Sequence, residues 1–409
     1  MEARIHITSE VGKLNDVLLH RPGRELESLT PQYLDFMLFE DIPYLAQMQH
    51  EHDQFARLLE AQGCRVHYVE ALLEEILGDA VLRDTAVTHI VESSKLFSQP
   101  LKHVITEYLL ESSPKQLAAY CVGGLLKSEV DGKVQHKTLS YFIRDTYPYY
   151  ISPLPNLYFT RDPATVVGDG VSINVMKTEA RRRENWLMSL LADNHPLFAS
   201  TRTHRDYTMG SSIEGGDILV LDDSCALVGS SARTDVWAIE AFAKRMLAPL
   251  EHGGEGLREI LVVQIPYTRA FMHLDTVFTM VDRDKFCIYS GIKSSLRVFS
   301  MVMGHGDSLE ISEERGLKQA LKRVLGLPAL ELIQSGGKDP IASAREQWND
   351  STNTLAVAPG TVITYRRNVV SNETLERHGI TVLPISGSEL VRGRGGPRCM
   401  SMPLNRDDL

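Results

Sequence analysis

The sequence predicts an α/β fold in which five ββαβ units form a closed radial array, with an all-helical segment inserted between the first unit and the second. Three observations lead there. Two short strands joined by a turn, then a helix and a further strand, recur five times along the chain. Five consistent units of little mutual identity point to a ring of repeats. Residues 73–147 interrupt the pattern with apolar residues at helical spacing. Residues 1–72 and 148–409 then form one α/β body, and 73–147 an insertion within it.

The first pair covers residues 2–7 and 16–20 about a turn at Gly12, followed by a helix at about 44–62, closed by Gly63, and a strand from Arg65. In the insertion, Leu101, Val104, Ile105, Tyr108 and Leu109 share a helical face. Ser113-Pro114 opens another helix, and Asp131-Gly132-Lys133 reads as a turn. The proline-bearing stretch from Tyr147 to Pro155 returns the chain to the main body. The second pair, 157–160 and 171–176, turns at Gly168-Asp169-Gly170 and leads to a helix from Glu179 to Leu191. The third, 217–221 and 226–229, turns at Asp222-Asp223-Ser224. Its helix, about 235–250, carries Val236, Ile239, Phe242, Ala243, Met246 and Leu250 on one face, and the strand 260–265 follows. The fourth, 274–281 and 286–290, turns at Asp282-Arg283-Asp284. Ser312 is expected to cap its helix, with Glu313 and Glu314 in the first turn and Gly326 at the stop, before the strand 330–333. The fifth, 354–358 and 361–365, turns at Pro359-Gly360, with a helix at 372–378 and a strand from Ile380.

Composition narrows the function. A chain of 409 residues with 43% hydrophobic and 23% charged residues is an ordinary globular chain with ample core. Its formal net charge of −10 argues against a nucleic-acid partner and suits a cationic substrate. The five cysteines, Cys64, Cys121, Cys225, Cys287 and Cys399, are widely spaced without a CxxC pair. Neither a zinc site nor a disulfide framework is expected. No signal-peptide core opens the chain and no run of roughly 18 apolar residues occurs, so no membrane partner and a cytoplasmic location are expected. A homo-oligomer is compatible with these features.

The chemistry concentrates near the C-terminus, in Gly393-Arg394-Gly395-Gly396-Pro397-Arg398-Cys399. Glycine permits sharp bends and close approach, so this loop can deliver Cys399 to a confined place. Arg394 and Arg398 flank the sulfur and are expected to favour its thiolate. Alone, the cysteine reads equally as a small buried hydrophobe, and it becomes a nucleophile only beside partners. The third unit opens with Ser212-Ile213-Glu214-Gly215-Gly216-Asp217, whose glycines allow close approach beside an inward Glu214. The fourth opens with His273-Leu274-Asp275, which in an extended strand projects His273 and Asp275 from one face. In the second, Asp162 precedes Pro163 and is held extended. Each has a plainer reading singly, as a turn, a core histidine or a cap. Together they lie at equivalent ends of successive units, where a radial array converges them on its axis with Cys399. A thiol, a histidine, a carboxylate to orient it and two further carboxylates suit attack on a planar cation, because a guanidinium matches carboxylates two by two.

These stretches, Phe159-Thr160-Arg161-Asp162-Pro163, Glu214-Gly215-Gly216-Asp217, Met272-His273-Leu274-Asp275-Thr276 and Gly393 to Leu404, resemble motifs of the arginine deiminases of the guanidine-modifying superfamily. The resemblance spans essentially the whole chain, including the helical insertion, which the superfamily's smaller hydrolases lack. It implies a five-bladed α/β propeller of the pentein type. It also implies hydrolysis of L-arginine by water to L-citrulline and ammonia, with neither metal nor cofactor. By motif, Cys399 is the nucleophile and His273 the general acid and base, held by Glu214, while Asp162 and Asp275 clamp the guanidinium. Arg181 and Arg233 match arginines for the substrate carboxylate, and Asn156 and Phe159 match pocket residues. Arg182 and Arg183, in the same run as Arg181, read as a solvated helix face. Arg394 matches a mobile loop arginine that closes over the site in some members. Arg398 stands where other members carry histidine, a departure that bears on pH dependence and loop behaviour. An amidinotransferase shares the covalent half-reaction but passes the amidino group to an amine; the helical insertion favours the deiminase. A non-catalytic arginine-binding protein needs no nucleophile, so the set of Cys399, His273 and Glu214 argues against it.

Overall fold

Alternating apolar strands and tight turns build five sheets of three or more strands, with a further ladder of two short strands beside them. The computed structural model describes residues 5–133, 147–205, 210–248, 256–292, 295–306 and 308–409. Four sheets share one plan: an antiparallel hairpin whose second strand pairs in parallel with a strand returning after a helix. The first of these joins Ala164–Val167 to Gly170–Ile173, passes through the helix Arg182–Asn194 and returns as Arg202–Arg205. The next uses Ile218–Val220, Cys225–Ser230, the helix Val236–Met246 and Glu259–Gln264. Then come Phe278–Asp282, Lys285–Tyr289, the helix Leu317–Val324 and Glu331–Ser335. The last has Leu355–Ala358, Thr361–Tyr365, the helix Val369–Arg377 and Thr381–Ile385.

The remaining sheet joins the two ends of the chain. Leu14–Leu19 pairs in parallel with Arg65–Tyr68, which follows the helix Leu45–Ala61, and antiparallel with Met402–Arg406. Of the expected partner strand at 2–7, His6 and Ile7 make only single bridges, to Asn405 and Gly168, and residues 1–4 lie outside the described residues. No local pattern marks a pairing between residues almost 400 positions apart, so hairpin rules select the wrong neighbour.

Other differences have local causes. Residues 157–160 are a chain of turns rather than a strand, closed by Phe159 N–H donating to Asn156 O and Asp162 N–H to Phe159 O. Ser312 caps no helix. It lies in the strand Leu309–Glu313, which pairs with Arg297–Met303 and widens the third-unit sheet to five strands. The helix begins only at Leu317, after Gly316. The stretch Leu274–Thr276 is a 3-10 turn, and the strand starts at Phe278. Residue 250 of the third-unit helix falls outside the described residues.

Four helices fill most of the interrupting segment: Val69–Ile76, Ala80–Ser93, Gln99–Leu110 and Pro114–Gly123. Ser113 caps the last by a reciprocal capping box with Gln116. The segment is not wholly helical, since Leu125–Leu126 pairs with Tyr149–Ile151; residues 134–146 lie outside the described residues. Val87, Ile90, Ile105 and Leu117 join Leu187, Ile218 and Leu404 in one apolar cluster, so these helices share a core with the neighbouring sheets. Arg183 is not a solvated residue. Its guanidinium reaches Ser152 O and Cys121 O, tying its helix to this segment. Among the described residues, no helix is long and apolar enough to cross a membrane.

One regularity places the chemistry. Asp162, Glu214, Asp275, Asn353 and Cys399 each sit in the turn just before the first strand of a sheet. Cys399 obeys the rule because the C-terminal strand belongs to the first sheet. Arg406 secures that strand: Nη1 donates to Gly12 O at 2.6 Å and Nη2 to Ala356 O at 2.8 Å, both buried. Arg406→Met should strand two buried carbonyls and destabilise by about 2–6 kcal/mol at roughly 1–3 kcal/mol each. Urea unfolding measures this, and an unchanged midpoint would refute the role.

Candidate active site

The turn before each strand aims its side chain by backbone hydrogen bonds. Gly215 N–H donates to Asp162 O at 3.0 Å, and Gly216 N–H to Asp162 Oδ1 at 3.1 Å. A side chain at Gly216 would press on the His273 ring, its Cβ falling 2.7 Å from Cγ and Nδ1. The close approach read from the paired glycines is therefore real, and its beneficiary is His273. Asp217 anchors the next turn: Oδ1 accepts from Leu274 N–H at 2.8 Å and Oδ2 from Ser231 Oγ at 2.6 Å. His273 and Asp275 do not share a strand face, because a 3-10 turn separates them, yet both reach the site.

His273, Glu214, Asp162, Asp275 and Cys399 are all buried and lie together. His273 Nε2 lies 2.7 Å from Glu214 Oε2, and Nδ1 lies 3.9 Å from Asp162 Oδ1. The Cys399 thiol points at Asp275 Oδ2, 3.6 Å away, and accepts from Asn353 Nδ2 at 3.1 Å. Asn353 Oδ1 receives Cys399 N–H at 2.9 Å and Gly396 N–H at 3.1 Å, so one amide holds the Cys399 loop in three places. Asp275 Oδ2 also accepts from Arg398 Nη1 at 2.8 Å, while Oδ1 is buried without a partner.

Burial works against charging His273, but Asp162, Glu214 and Asp217 outweigh it and raise its pKa to about 9. Burial likewise works against ionising Glu214, and the hydrogen bond from His273 reverses the direction and keeps it a carboxylate. Cys399 departs from expectation. Burial, then Asp275, Asp162 and Asp350, push its thiol well above the ordinary value, and Arg398 opposes them too weakly. The flanking arginines fail to yield a thiolate because their charges are directed elsewhere. Arg398 is spent between Glu10 and Asp275, its Nε donating to Glu10 Oε2 at 3.0 Å. Arg394 stacks over the Trp348 ring at 3.6 Å.

The substrate-end residues divide. Arg233 is half-buried, and its guanidinium meets the Met272 sulfur at 3.7 Å. Arg181 is buried and committed: Nη1 donates to Asp162 Oδ2 at 2.6 Å, Nη2 to Glu184 Oε2 at 2.8 Å, and Nε to Glu184 at 3.0 Å. It is thus placed to orient Asp162 rather than to await a substrate carboxylate, because two buried carboxylates hold it. Asn156 donates to Met37 O at 2.7 Å, and the Phe159 ring packs on Tyr158 with centroids 3.9 Å apart. Phe159 also fills the space that a side chain at Gly395 would need.

Sequence reasoning missed Asn353, Asp217, Glu10 and Glu184. Asn353 had a readable sign, a polar run immediately before a strand at the position equivalent to Asp162 and Glu214. The other three act through contacts that no spacing marks. Among the described residues, Asp162, Glu214 and His273 place metal-ligand atoms within 4.8 Å of one another. Gly216 N–H on Asp162 Oδ1 at 3.1 Å and His273 Nε2 on Glu214 Oε2 at 2.7 Å commit the oxygens nearest the imidazole to hydrogen-bond donors. The set therefore suits an imidazolium between carboxylates better than a divalent cation.

The fold is shared, at low identity, with two solved enzymes. An amidinotransferase from Microseira wollei aligns with a TM-score of 0.57 and 13% identity, covering 99% of this chain and 98% of that one. The N-terminal domain of ArgZ, a cyanobacterial arginine dihydrolase, aligns with a TM-score of 0.53 and 11% identity over 96% and 97%. These likenesses define the class as a mixed α/β fold of the pentein kind. Sequence narrows it further. The profile described as Arginine deiminase matches residues 35–406. The arginine deiminase of Bacillus cytotoxicus is 47% identical over 418 residues, spanning 100% of both chains. This chain belongs to the arginine deiminase family.

The raised pKa of His273 carries a test. Its folded value lies above the ordinary 6.5, so the charged pair stabilises the fold fully below about 6.5 and progressively less as pH rises through about 9. In Glu214→Gln, NMR titration should place His273 well below its wild-type value. An unmoved titration would show that Glu214 does not hold the imidazolium.

Proposed function

We propose that this chain hydrolyses L-arginine to L-citrulline and ammonia through an amidino-thioether on Cys399. Family membership over the full length supports the activity. The mechanism is carried by one observation: Asp275 presents a buried, unpartnered Oδ1 while its Oδ2 lies 3.6 Å from the Cys399 sulfur. An N–H of a planar cation fits that oxygen, and its electrophilic carbon then falls near the thiol.

Asp162 and Asp275 receive the guanidinium N–H groups, each carboxylate steadied from behind by an internal arginine. Loading this cation cancels much of the negative field that keeps Cys399 protonated, so the thiol ionises as substrate enters, releasing to water the proton that ammonia later takes up. The thiolate attacks the guanidinium carbon. His273, already an imidazolium, gives its proton to the departing nitrogen, and ammonia leaves as the C–N bond breaks. The neutral imidazole then takes a proton from water and hydroxide adds to the amidino carbon; as the C–S bond breaks, the hydroxyl proton passes to the departing sulfur, restoring the Cys399 thiol and releasing citrulline. Arg233 takes the α-carboxylate, Asn156 and Phe159 shape the pocket, and Arg181 positions Asp162. Arg394 borders the entrance.

The same proposal extends to the architecture. The five sheets are the blades of a closed propeller formed by residues 1–72 and 148–409, with 73–147 inserted. The pairing of Leu14–Leu19 with Met402–Arg406 supports closure, because a ring must join its first and last segments. A cytoplasmic location fits a chain with five free, buried cysteines.

Cys399→Ser should leave the fold intact and abolish citrulline formation measured with chelator present, since a hydroxyl is a far weaker nucleophile at neutral pH. Acid quench of the wild type during turnover should leave an amidino adduct on the Cys399 peptide. An adduct on another cysteine, or turnover by the serine variant, would end the covalent reading.

Agmatine lacks the α-carboxylate and leaves Arg233 unanswered. A hydrogen bond to a charged group is worth about 1.5–3 kcal/mol, or roughly ten- to a hundredfold in kcat/KM. Wild type should prefer arginine by that factor, and Arg233→Ala should narrow the gap. Equal use of both substrates by wild type would remove Arg233 from this role.

A further inference from the structure

The turn that carries Arg233 and the turn that carries His273 and Asp275 meet through two buried side chains, Asp217 and Ser231. Ser231 closes the first turn. Its Oγ accepts from Arg233 N–H at 3.0 Å and from Thr234 N–H at 3.2 Å, while Ser231 N–H donates to Thr234 O at 3.3 Å. The same hydroxyl donates to Asp217 Oδ2 at 2.6 Å. Asp217 Oδ1 accepts at 2.8 Å from the N–H of Leu274, the residue between His273 and Asp275. One hydroxyl and one carboxylate thus join the Arg233 backbone to the neighbouring unit's turn.

The connection is saturated and directional. A hydroxyl offers one proton and two lone pairs. Ser231 commits its proton to Asp217 and both lone pairs to backbone N–H groups, so only an acceptor fits opposite it. Space is equally specific. A Cβ at Gly229, in the strand Cys225–Ser230, would fall 2.3 Å from Asp217 Oδ1 and 2.8 Å from Leu274 Cβ. The sheet leaves room for this carboxylate against this turn. Two further contacts run alongside. Thr234 Oγ1 accepts from Glu214 N–H at 3.2 Å, and the Arg233 guanidinium meets the sulfur of Met272, which precedes His273, at 3.7 Å.

We propose that Ser231 and Asp217 are positioning residues that lock the arginine receiving the substrate α-carboxylate to the turn receiving its guanidinium, so that binding one end aligns the other. This rests on the reading of Arg233 as the carboxylate ligand and of Asp275 as a guanidinium ligand. Fixed geometry supplies much of the rate when reacting groups are held in line, and a displacement of about 1 Å costs on the order of a hundredfold. Agmatine does not engage Arg233, so the lock contributes nothing to its turnover. The Asp217 charge also helps to keep His273 an imidazolium, an effect that both substrates share.

The full-length protein would be assayed with L-arginine and with agmatine as Ser231→Ala, Ser231→Thr, Asp217→Asn, Arg233→Ala and the double variant Ser231→Ala/Arg233→Ala. The readout is the ratio of the two kcat/KM values, because general damage to the fold or to His273 lowers both alike. Ser231→Ala removes the hydroxyl but leaves Asp217 on Leu274 N–H. Asp217→Asn keeps an acceptor for Leu274 and puts a donor where Ser231 needs an acceptor. Each should narrow the arginine preference at least about threefold, with the loss falling on arginine, whereas Ser231→Thr keeps the hydroxyl and should hold the ratio within about twofold of wild type. The double variant should narrow the preference no further than Arg233→Ala alone, as residues acting in one unit do. A ratio unchanged in Ser231→Ala, whether the rates fall together or stay as they were, overturns the proposal. Should Ser231→Ala not fold, Asp217→Asn decides, and failure of both assigns the pair to stability and also overturns it. A wild type that leaves arginine untouched, or uses both substrates equally, would instead overturn the underlying reading, and the lock with it.

Discussion

Taking a carboxylate out of water costs several kcal/mol unless a cation or several donors meet it, and the centre of this molecule buries Glu10, Asp162, Glu184, Glu214, Asp217, Asp275 and Asp350. The side chains around them are arranged by that demand. Arg398 bridges Glu10 and Asp275, Arg181 bridges Asp162 and Glu184, and His273 stands between Glu214 and Asp162. Burial alone would protonate Glu10, yet Arg398 and Arg161 bring its pKa down to about 2. Burial holds Asp217 up at about 7, although the His273 charge, the Ser231 hydroxyl and the Leu274 N–H all pull it down. Removing any one cation would strand a charge, so these residues form a lattice rather than separate pairs.

The lattice also sets geometry. A carboxylate oxygen has two lone-pair directions, so an arginine that grips one oxygen from behind leaves the other face for a ligand. Asp275 shows this directly: Arg398 occupies Oδ2 and Oδ1 is open. Arg398 and Arg181 thus perform equivalent tasks on opposite carboxylates, although their sequence settings have nothing in common. A histidine at position 398 could not bridge Glu10 and Asp275 with a permanent charge, because its own charge depends on pH.

Much of this was legible in the sequence because the fold repeats. Turn residues such as Gly168 and Gly360 marked hairpins that the structure contains, and the residues just before strands lie together in it. The illegible parts share a physical cause, which is dependence on distant neighbours. Met402–Arg406 pairs with Leu14–Leu19 across nearly the whole chain, and Ser312 sits in a ladder because Arg297–Met303 lies beside it. Arg181 fell in a recognisable run, but its partner choice depends on Glu184 and Asp162 competing for it in a dry space. Charge state was the hardest property to read. Adjacency to Arg394 and Arg398 suggested a thiolate at Cys399, whereas the direction in space of each guanidinium decides the matter.

That reversal explains how the site can be both reactive and safe. A thiolate poised in the empty protein would be open to oxidation and to any electrophile that entered. Here burial and three carboxylates keep Cys399 protonated, and the arginine charge that opposes them is already shared by Glu10 and Asp275. The missing positive charge is the one a guanidinium substrate brings. On the proposed mechanism, its arrival between Asp162 and Asp275 lowers the cost of ionising the sulfur at the same moment that it presents the carbon to be attacked. A neutral analogue of the same shape would supply the carbon without the charge, and the thiol would stay protonated. On that mechanism, selectivity for a cation is built into nucleophile activation as well as binding, and it follows from the excess of buried carboxylates around Cys399.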